Sequence, residues 1–413
     1  MPDKAGGCSP EWFAAAAEAE IIRSSTVCLE RVETDSRSAG PGALFVALKG
    51  ERVDGHDYLR AALESGAEAA LVSRAWRETR GAAELAALGA RPGRSLPAII
   101  CAPDPLAALQ RAAKAWRCGF PSLRRIGVTG SSGKTTVKEL IASILSVSHS
   151  VVKNPGNLNS DIGLPASLFA IRPRHELAVF ELGINRIGEM DLLAEVYEPD
   201  CALINTIGSA HIGLLGGSRE GIATEKKKIS SRFNGRQTLV VREDDEFRDF
   251  LIKDVRGDVA FFGLRSMERF EGARSLGLGG WELRYACLPM RLALPGAHNL
   301  SNALASIRVA ELFGVDPGDI AAGLEAQAPL SGRGEILCGP VCIVNDCYNA
   351  NAESTLAALS FCDEAELPGR RIYVLGSMKE LGTESEAAHR RVGAAAAESR
   401  ADALFFLGEE ARW

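Results

Sequence analysis

Residues 126–136 read IGVTGSSGKTT, and this stretch decides the fold of the chain. An apolar run, Ile126–Val128, leads directly into a glycine-rich loop, and an amphipathic run, Val137–Leu145, follows the loop. This order is typical of a buried strand, a phosphate-binding loop and a helix. Gly130 and Gly133 permit the tight turn in which backbone N–H groups point at phosphate oxygens, and the start of the helix adds its positive end.

The side chains of this loop predict a site for a nucleotide and its Mg²⁺ ion. We expect Lys134 to face solvent until ATP arrives and then to pair with the β- and γ-phosphates, while the Thr135 hydroxyl binds Mg²⁺. The match is to the shorter form Thr-Gly-x-x-Gly-Lys-Thr, because Val128 stands where the full pattern has glycine. A glycine-rich turn with a surface lysine is the alternative, and the flanking strand and helix argue against it. The predicted nucleotide-binding residues are Thr129, Gly130, Ser131, Ser132, Gly133, Lys134 and Thr135.

Length and charge limit the classes of protein to which the chain can belong. A chain of 413 residues is too long for one ordinary core and predicts about two or three domains. A net charge of −6 and an isoelectric point near 5.7 give no support for nucleic acid or an anionic membrane as a partner. The start of the chain lacks the pattern of a signal peptide, and no apolar run reaches the roughly 18 residues that span a bilayer. We therefore expect a cytoplasmic protein without membrane insertion.

Ten cysteines are present without a Cys-x-x-Cys pair. The nearest approach to a cluster, Cys338, Cys342 and Cys347, lies along a predicted buried strand. Packed thiols in a reducing cytosol are the favoured interpretation, and a zinc site is the less favoured alternative.

Three series of strands and helices follow one another along the chain and predict an α/β fold. The first has a strand at 42–48 and a helix at 58–67, and a helix at 106–116 then leads to the phosphate loop. In the second, apolar runs at 177–180, 201–204, 238–241 and 259–262 alternate with helical patterns at 187–195 and 221–230, which predicts a parallel sheet covered by helices. The third has strands at 341–344, 371–375 and 403–407 and stops at Trp413, so we expect a missing C-terminal segment.

Polar side chains follow the strands of the second series, at the sheet edge where α/β proteins bind ligands. Glu181 ends one strand, where its carboxylate can reach Mg²⁺ held by Thr135. His211 follows the next strand, although hard Mg²⁺ prefers oxygen ligands to histidine. The alternative for Glu181 and for His211 is a structural role, in which the side chain is hydrogen-bonded within the protein and binds no ligand. A solvated basic face is the alternative for the lysine run 226–228 on the next helix.

Two later segments add candidate nucleotide contacts. Residues 295–302, PGAHNLSN, open a helix on which Asn299 and Asn302 share a face, and these amides either bind a nucleotide or cap the helix. Arg333, in a glycine-flanked loop, can pair with phosphate. Asp346, at a strand end, can accept hydrogen bonds from ribose hydroxyls.

Taken together, these residues resemble the Mur ligase family over nearly the whole chain. The segments that carry the resemblance are NLNSDIGLP at 157–165, ELGIN at 181–185, DCYNAN at 346–351 and VLGSMKELG at 374–382, with DSR at 35–37 and FVALKGERVDGH at 45–56. Two residues depart from the family pattern. Ser377 stands where relatives often carry aspartate, and Ala352 where they often carry proline.

The resemblance implies three α/β domains and an activity. An N-terminal UDP-sugar-binding domain would span residues 1–104, a central P-loop ATPase domain with a parallel sheet 105–328, and a Rossmann-like C-terminal ligase domain, apparently truncated, 329–413. The members most similar in detail join D-Ala-D-Ala to UDP-MurNAc-tripeptide in peptidoglycan precursor synthesis, using ATP and an acyl-phosphate intermediate. We expect a monomer whose C-terminal domain closes over ATP, so that without ligands Arg333 and Asp346 lie far from the central residues.

The resemblance also implies roles for individual residues. Lys134, Lys226 and His211 would be catalytic. Two Mg²⁺ ions would be held by Thr135, Glu181, His211 and Lys226, with Lys226 carbamylated by CO₂ so that its charge is reversed. ATP would also contact Asn299, Arg333 and Asp346. The implied substrate-binding residues are Ser36, Arg37, Asn157, Asn159, Tyr348, Asn349 and Asn351.

Two other functions are alternatives. One is another amide ligase of this architecture, of the Mur or folylpolyglutamate synthase type, and the segments 157–165 and 348–351 argue against it. The other is a regulatory P-loop switch that binds a partner without ligation. That alternative leaves the first series and the Asp346 segment unexplained.

Overall fold

The computed structural model describes residues 6–86, 96–366 and 369–413. Residues 1–5, which belong to the segment assessed above for a signal peptide, lie outside the described residues. The chain forms two compact units. The first contains residues 1–123, 152–178 and 195–197, and the second contains residues 124–151, 179–194 and 198–413. The domain boundaries at 104 and 328 stay predictions. Within the described ranges, no helix combines the length and apolar character needed to cross a membrane.

Strands and helices are numbered in chain order within the described residues. The strands are β1 (Glu20–Arg23), β2 (Arg31–Glu33), β3 (Ala43–Val46), β4 (Ala69–Ser73), β5 (Ala98–Ala102), β6 (Arg124–Thr129), β7 (Val151–Lys153), β8 (Leu177–Glu181), β9 (Cys201–Ile204), β10 (Thr238–Arg242), β11 (Asp258–Phe262), β12 (Phe270–Ser275), β13 (Trp281–Tyr285), β14 (Leu288–Leu292), β15 (Glu335–Leu337), β16 (Ile343–Asn345), β17 (Ile372–Gly376) and β18 (Ala403–Leu407). The helices are α1 (Pro10–Ala17), α2 (Leu59–Glu64), α3 (Arg74–Trp76), α4 (Ala82–Ala86), α5 (Pro105–Cys118), α6 (Lys134–Leu145), α7 (Gly163–Leu168), α8 (Glu189–Tyr197), α9 (Arg219–Lys227), α10 (Arg248–Ile252), α11 (Ala297–Leu312), α12 (Pro317–Ala326), α13 (Ala352–Glu364) and α14 (Ser385–Ala397).

The first unit is built on a five-stranded sheet with the order β1-β5-β4-β3-β2. Neighbouring strands are parallel except β1, which runs antiparallel to β5. Every residue of β3 is buried, and this confirms the strand predicted at 42–48. Helix α5 begins at Pro105 because the Asp104 carboxylate accepts hydrogen bonds from the Leu106 and Ala107 N–H groups, at 2.8 and 3.1 Å. The helix predicted at 58–67 is the shorter α2, after one 3₁₀ turn.

The second unit contains most of a six-stranded sheet with the order β11-β10-β9-β6-β8-β7. The pairs β10–β11, β9–β10 and β6–β9 are parallel, as the alternation of strands and helices predicts. Thr129 pairs with Ile204, so the carboxyl ends of β6 and β9 lie side by side. Helix α6 packs against α11 and α12, and its apolar face is buried. The predicted order of strand, glycine-rich loop and helix is therefore confirmed.

Smaller sheets complete the second unit. Strands β12, β13 and β14 form an antiparallel sheet that the sequence analysis did not predict. Strands β15 and β16 form an antiparallel pair, and β17 and β18 a parallel pair. The third predicted series is confirmed in β16, β17 and β18, although β16 begins two residues later than the apolar run that predicted it.

The cysteines of the third series are not packed in a buried strand, and this prediction was wrong. Cys338, Cys342 and Cys347 are exposed, because they flank the short strands β15 and β16 rather than lying inside them. In the part of the chain that the structure describes, no group of three His, Cys, Asp or Glu side chains could hold a metal ion. The packed-thiol interpretation is confirmed for Cys101 and Cys201, which are buried.

Candidate active site

The phosphate loop joins β6 to α6 in the second unit. Gly130 and Gly133 have positive φ values of 153° and 75°, conformations that glycine adopts at little cost. The segment after β9 supports the loop. The Ser131 N–H donates to the Thr206 carbonyl at 2.8 Å, and the Ser131 hydroxyl accepts from the Gly208 N–H at 2.9 Å.

A chain of asparagine amides ties the loop to the start of α11. Asn205 Nδ2 donates to the Ser132 carbonyl at 3.1 Å and to Asn302 Oδ1 at 2.9 Å. Asn302 donates to Asn299 Oδ1 at 3.1 Å, and Asn299 donates to the Pro295 carbonyl at 2.7 Å. The prediction that the two helical asparagines share a face is confirmed. Both amides are engaged within the protein, at the point where α11 begins.

Glu181 meets Thr135 at the end of β8, as the sequence predicts. The Thr135 hydroxyl donates to Glu181 Oε2 at 2.7 Å, and both side chains are buried. Two more buried oxygens at the loop, Thr129 Oγ1 and Asn205 Oδ1, have no hydrogen-bond partner among the described residues. Such atoms cost free energy unless a ligand satisfies them, and hydroxyl and carboxylate oxygens are ligands that Mg²⁺ prefers. The donor set fits a phosphate-bearing ligand and its magnesium ion.

Lys134 lies against the loop, so the expectation that it faces solvent was wrong. Its Nζ donates to the Gly130 carbonyl at 2.9 Å, and the side chain is half-buried. Burial lowers the pKa of Lys134, an effect that Glu181 opposes and Arg333 reinforces. The lysine is therefore held in place by the loop that would receive the phosphates.

Burial separates Lys226 from the two lysines that follow it. Lys226 on α9 is 1% exposed, whereas Lys227 and Lys228 are only half-buried. The solvated-face alternative is therefore wrong for Lys226. Burial lowers the pKa of Lys226 well below its ordinary value, the charge of Lys134 adds to this effect, and nearby carboxylates oppose it. The environment thus favours the neutral amine.

Glu225, immediately before Lys226, fixes the position of α9. Its Oε1 accepts hydrogen bonds from the Gly188 and Met190 N–H groups at 2.8 and 3.2 Å, and its Oε2 binds Lys228 Nζ at 2.7 Å. These N–H groups open α8, so the buried carboxylate also stabilises the positive end of that helix.

His211 lies in the loop after β9, and its Nδ1 binds the Glu380 carboxylate. Both residues have positive φ, 59° for His211 and 62° for Glu380. Such backbone conformations are uncommon outside glycine and cluster at functional sites. Burial lowers the pKa of His211, and the hydrogen bond to Glu380 opposes this shift. An imidazole whose Nδ1–H donates to a carboxylate keeps Nε2 for a ligand.

Residues beyond 328 contact the loop after β9 directly. The Ser209 N–H and hydroxyl donate to Glu353 Oε2 at 3.1 and 2.7 Å. Arg333 stacks on the Tyr348 ring, with 3.8 Å between the guanidinium carbon and the ring centre. Its charge is also close enough to Lys134 to lower the pKa of that lysine. The expectation of a wide separation without ligands is wrong for Arg333, because carboxylates of the C-terminal segment bind the central loop.

Family models match three parts of the chain. A model of the Mur ligase family catalytic domain matches residues 29–90, one of the Mur ligase middle domain residues 128–310, and one of the Mur ligase glutamate ligase domain residues 332–413. The chain belongs to the Mur ligase family. The middle-domain match contains the phosphate loop together with Glu181, His211 and Lys226.

Individual relatives agree with this assignment. A UDP-N-acetylmuramoyl-tripeptide–D-alanyl-D-alanine ligase of Treponema pallidum is 42% identical, over 92% of this chain and 81% of its own length. A crystal structure of MurF from Acinetobacter baumannii matches 98% of this chain and 87% of its own, with a TM-score of 0.85 and 30% identity. MurF from Thermotoga maritima, in complex with ADP, matches 93% of this chain and 86% of its own, with a TM-score of 0.74 and 28% identity. The predicted family and three-domain α/β fold are confirmed.

The predicted UDP-sugar residues of this Mur ligase lie in two loops of its first unit. Ser36 and Arg37 are in the turn after β2, where Arg37 binds both oxygens of Asp35, at 3.0 and 2.6 Å. This pairing lowers the pKa of Asp35 to about 2. Asn157 and Asn159 lie between β7 and α7, and the Asn159 N–H donates to the Asn157 carbonyl at 2.7 Å. The roles of these four residues in substrate binding stay predictions.

The predicted substrate residues of the C-terminal segment have different environments. Tyr348 and Asn349 are exposed. Asn351 is buried and caps α13, since its Oδ1 accepts from the Ser354 N–H at 2.8 Å while its own N–H donates to Ser354 Oγ at 3.1 Å. Asn351 therefore has a structural role that the sequence analysis missed.

Asp346 lies near His298, a residue of α11. Desolvation of the carboxylate by surrounding protein atoms raises the pKa of Asp346, and the charges of His298 and Arg333 oppose this rise. Asp346, which was predicted to contact the nucleotide, thus lies beside α11, the helix that carries Asn299 and Asn302 near its start.

The two departures from the family pattern are compatible with the fold of this Mur ligase. Ser377 Oγ donates to the Leu407 carbonyl at 3.2 Å and accepts from the Ala411 N–H at 3.1 Å, so it ties the end of β17 to the segment after β18. Ala352 is the first residue of α13, a helix position at which proline is also tolerated.

Four residues that build the site were not assigned roles from the sequence. They are Asn205, Glu225, Glu353 and Glu380. Glu353 and Glu380 are 144 and 169 residues away from their partners, so no local pattern relates them. For Asn205 a signal existed, because it directly follows β9 at the sheet edge that binds ligands.

Proposed function

We propose that this Mur ligase joins D-alanyl-D-alanine to UDP-N-acetylmuramoyl-tripeptide, with cleavage of ATP to ADP and phosphate, in peptidoglycan precursor synthesis. The observation that carries the proposal is the cluster at the ends of β6 and β8, where Lys134 binds the phosphate loop and Thr135 binds Glu181. This cluster supports nucleotide binding in the middle domain of a family whose relatives carry the name of this ligase.

The reaction brings two anions together. The terminal carboxylate of the tripeptide attacks the γ-phosphorus of ATP, and ADP leaves. The amine of D-alanyl-D-alanine then attacks the acyl carbon of the acyl phosphate, and phosphate leaves as the peptide bond forms. Lys134 and Arg333 would offset the charge that repels a carboxylate from a triphosphate. Since the Gly130 carbonyl holds Lys134 before ATP arrives, little reorganisation is needed.

Side chains at the loop, at the end of β8, after β9 and on α9 would hold two magnesium ions. Thr135 and Glu181 would hold one ion, and His211 and a modified Lys226 would complete the second. When bound, magnesium supplies Lewis-acid stabilisation of phosphate charge. Glu380 binds His211 Nδ1 and so fixes the orientation in which Nε2 is available.

The modification proposed for Lys226 is a carbamate. The neutral amine attacks CO₂, an N–C bond forms and the nitrogen loses one proton, so a neutral side chain becomes an anionic one. The lowered pKa of Lys226 supports this step, because it raises the fraction of neutral amine at a given pH. The charge of Lys134 would then attract the carbamate, whereas it repels a protonated lysine.

The proposal places the UDP-sugar in the first unit, and the dipeptide and ATP in the second. The UDP-sugar would be bound in the first unit by Ser36, Arg37, Asn157 and Asn159, and the dipeptide by the exposed Tyr348 and Asn349, with Asn351 holding the start of α13. ATP would lie on the phosphate loop, with Asn299, Arg333 and Asp346 around it. The enzyme would act as a monomer in the cytoplasm.

A coupled assay of ADP release with purified UDP-MurNAc-tripeptide tests the function. ADP should appear with D-alanyl-D-alanine and not with single amino acids, and Lys134→Ala should abolish the release. Release with a different amine alone would favour another Mur-type or folylpolyglutamate synthase-like ligase. Nucleotide turnover without any acceptor would favour a P-loop switch.

A further inference from the structure

A pair of thiols lies at the free end of the hairpin formed by β15 and β16. Cys338 directly follows β15 and Cys342 directly precedes β16, with the turn 339–341 between them. The strands are antiparallel, and Leu337 lies opposite Ile343. Extending this register by one residue places Cys338 opposite Cys342.

The two side chains contact each other and are open to solvent. Their thiols are hydrogen-bond partners, and both residues are exposed. Facing residues of an antiparallel pair have Cα atoms about 4.5–5.5 Å apart. A disulfide joins residues whose Cα atoms are about 4.4–6.8 Å apart. The register therefore allows a disulfide without displacement of either strand.

Two other cysteines of the molecule are in less reactive environments. Cys201 is buried in β9, and burial raises its pKa to about 12. Cys362 is half-buried on α13, and burial raises its pKa to about 11. Thiolates rather than thiols react, so these residues are poor nucleophiles at neutral pH. Exposure and a facing thiol make the hairpin pair the better site.

We propose that Cys338 and Cys342 form a reversible disulfide by exchange with a low-molecular-weight disulfide such as oxidised glutathione. The Cys338 thiolate attacks one sulfur of the oxidant, whose S–S bond breaks and releases one glutathione thiolate. Cys342 then loses its proton and attacks the Cys338 sulfur, and the second glutathione leaves. The protein loses two thiol hydrogens and two electrons, and the oxidant is reduced to two thiols.

The order of the two attacks follows from the surroundings of Cys342. Slight desolvation and the neighbouring Cys338 raise the pKa of Cys342, which disfavours its thiolate and makes it the second thiol to attack. In a reducing compartment the pair rests as a dithiol, and an exposed disulfide is of the labile, reversible kind.

A bridge at this point closes the free end of the hairpin. The opposite end is already closed, since Asn345 Nδ2 donates to Glu335 Oε2 at 3.0 Å and the Tyr348 N–H donates to the Gly332 carbonyl at 3.0 Å. Strand β16 continues directly into Asp346. Oxidation therefore stiffens the strand that leads to this carboxylate.

The disulfide is tested on the full-length chain in glutathione redox buffers, with free thiols trapped by N-ethylmaleimide. Trypsin and a protease that cleaves before aspartate release the peptide 334–345, which contains Cys338 and Cys342 and no other cysteine. In oxidised wild-type protein and in the control Cys347→Ser, this peptide should be lighter by two hydrogens and unlabelled. Dithiothreitol should restore both labels.

Three results would overturn the proposal. One is a wild-type peptide that stays doubly labelled at every redox ratio at which glutathione reacts elsewhere on the chain. Another is a bond from this peptide to Cys347 or Cys362. The third is the same unlabelled, unlinked peptide in Cys338→Ser, where the remaining thiol should instead carry glutathione or the label.

Hydrogen exchange tests the structural consequence. Amides of residues 335–345 should exchange several-fold more slowly in oxidised than in reduced wild-type protein. In Cys338→Ser the two conditions should give equal rates. Equal rates in the wild type, with the disulfide verified in the same sample, would refute the stiffening of the hairpin.

Discussion

Lys226 gives the sharpest single-residue test, because burial distinguishes it from two chemically identical neighbours. A carbamate would place an anion near Lys134, whereas a protonated lysine would add to the positive charge. We predict that Lys226→Ala slows ligation about 100-fold or more, the scale of losing one electrostatic group in an active site. Lys227→Ala should have a mild effect. ADP release with all substrates present measures both.

Short carboxylates provide the control for that experiment. Formate or acetate should partly restore Lys226→Ala, because the space left by a buried side chain can accept a small anion in place of the carbamate. Equal losses in Lys226→Ala, Lys227→Ala and Lys228→Ala, without rescue, would contradict the carbamate.

Gly133 combines a positive φ with close contacts that leave no room for a Cβ, and a matched variant separates these two effects. Gly133 and Gly314 share a φ of 75°. A Cβ at Gly133 would lie 2.4 Å from Asn205 Nδ2 and 2.5 Å from Asn302 Oδ1, whereas a Cβ at Gly314 meets nothing within 4 Å. Backbone strain of about 1 kcal/mol is therefore common to Gly133→Ala and Gly314→Ala. We expect a lower melting temperature and weaker ADP binding for Gly133→Ala, and matching values for the two variants would argue against the amide chain as a support of the loop.

Contacts between residues that lie at the ends of neighbouring strands could be predicted from the sequence. Contacts with residues far away along the chain could not. Thr135 and Glu181 were predicted to meet, since one follows β6 through the loop and the other ends β8 at the same edge. The lowered pKa of Lys134 depends on burial against the phosphate loop and on the charge of Arg333, which belongs to a distant segment. The contact of Glu380 with His211 likewise depends on how the C-terminal segment folds onto the central loop.

Among the elements, buried parallel strands were the easiest to predict. The apolar run 201–204 has the bounds of β9, because a strand covered on both faces keeps a continuous apolar sequence. Strand β12, FEGARS, is mostly exposed and carries charges and a glycine, so it has the composition of a loop. Its sheet forms because β13 buries Leu283 and Tyr285 in the adjoining core.

Tyr285 anchors this sheet to α11 and makes the contact testable. Its hydroxyl donates to Glu311, which also binds Arg308 at 3.0 Å. Burial raises the pKa of Tyr285, so the hydroxyl stays a donor at neutral pH. Tyr285→Phe keeps the ring and removes the donor, so we expect a loss of about 1 kcal/mol and a lower melting temperature. The exposed Tyr58 is the control, and Tyr58→Phe should melt like the wild type.

At the scale of the whole molecule, the C-terminal segment is held to the central loop by carboxylates of α13 and of the segment after β17. Burial would raise the pKa of Glu353, but its hydrogen bonds with Ser209 and Arg391 outweigh burial and lower it. A lowered folded pKa means that this contact stabilises the protein fully above the ordinary value of 4.5 and loses its effect as the pH falls through the lowered value. Acid should therefore loosen residues 329–413 from the loop.

Hydrogen exchange at Ser209 tests this link directly. The Ser209 N–H donates to Glu353 Oε2 at 3.1 Å, so Glu353→Ala removes its acceptor and should speed its exchange by about tenfold or more at neutral pH. Glu386→Ala, which removes only an exposed pair with Arg390 on α14, is the matched control and should leave the rate unchanged. In the wild type, the same amide should exchange faster at acidic pH than the intrinsic pH dependence of exchange allows, and this excess should be absent in Glu353→Ala. If Ser209 exchanges at the wild-type rate in Glu353→Ala, other contacts hold the two segments together and the carboxylate is not the link between them.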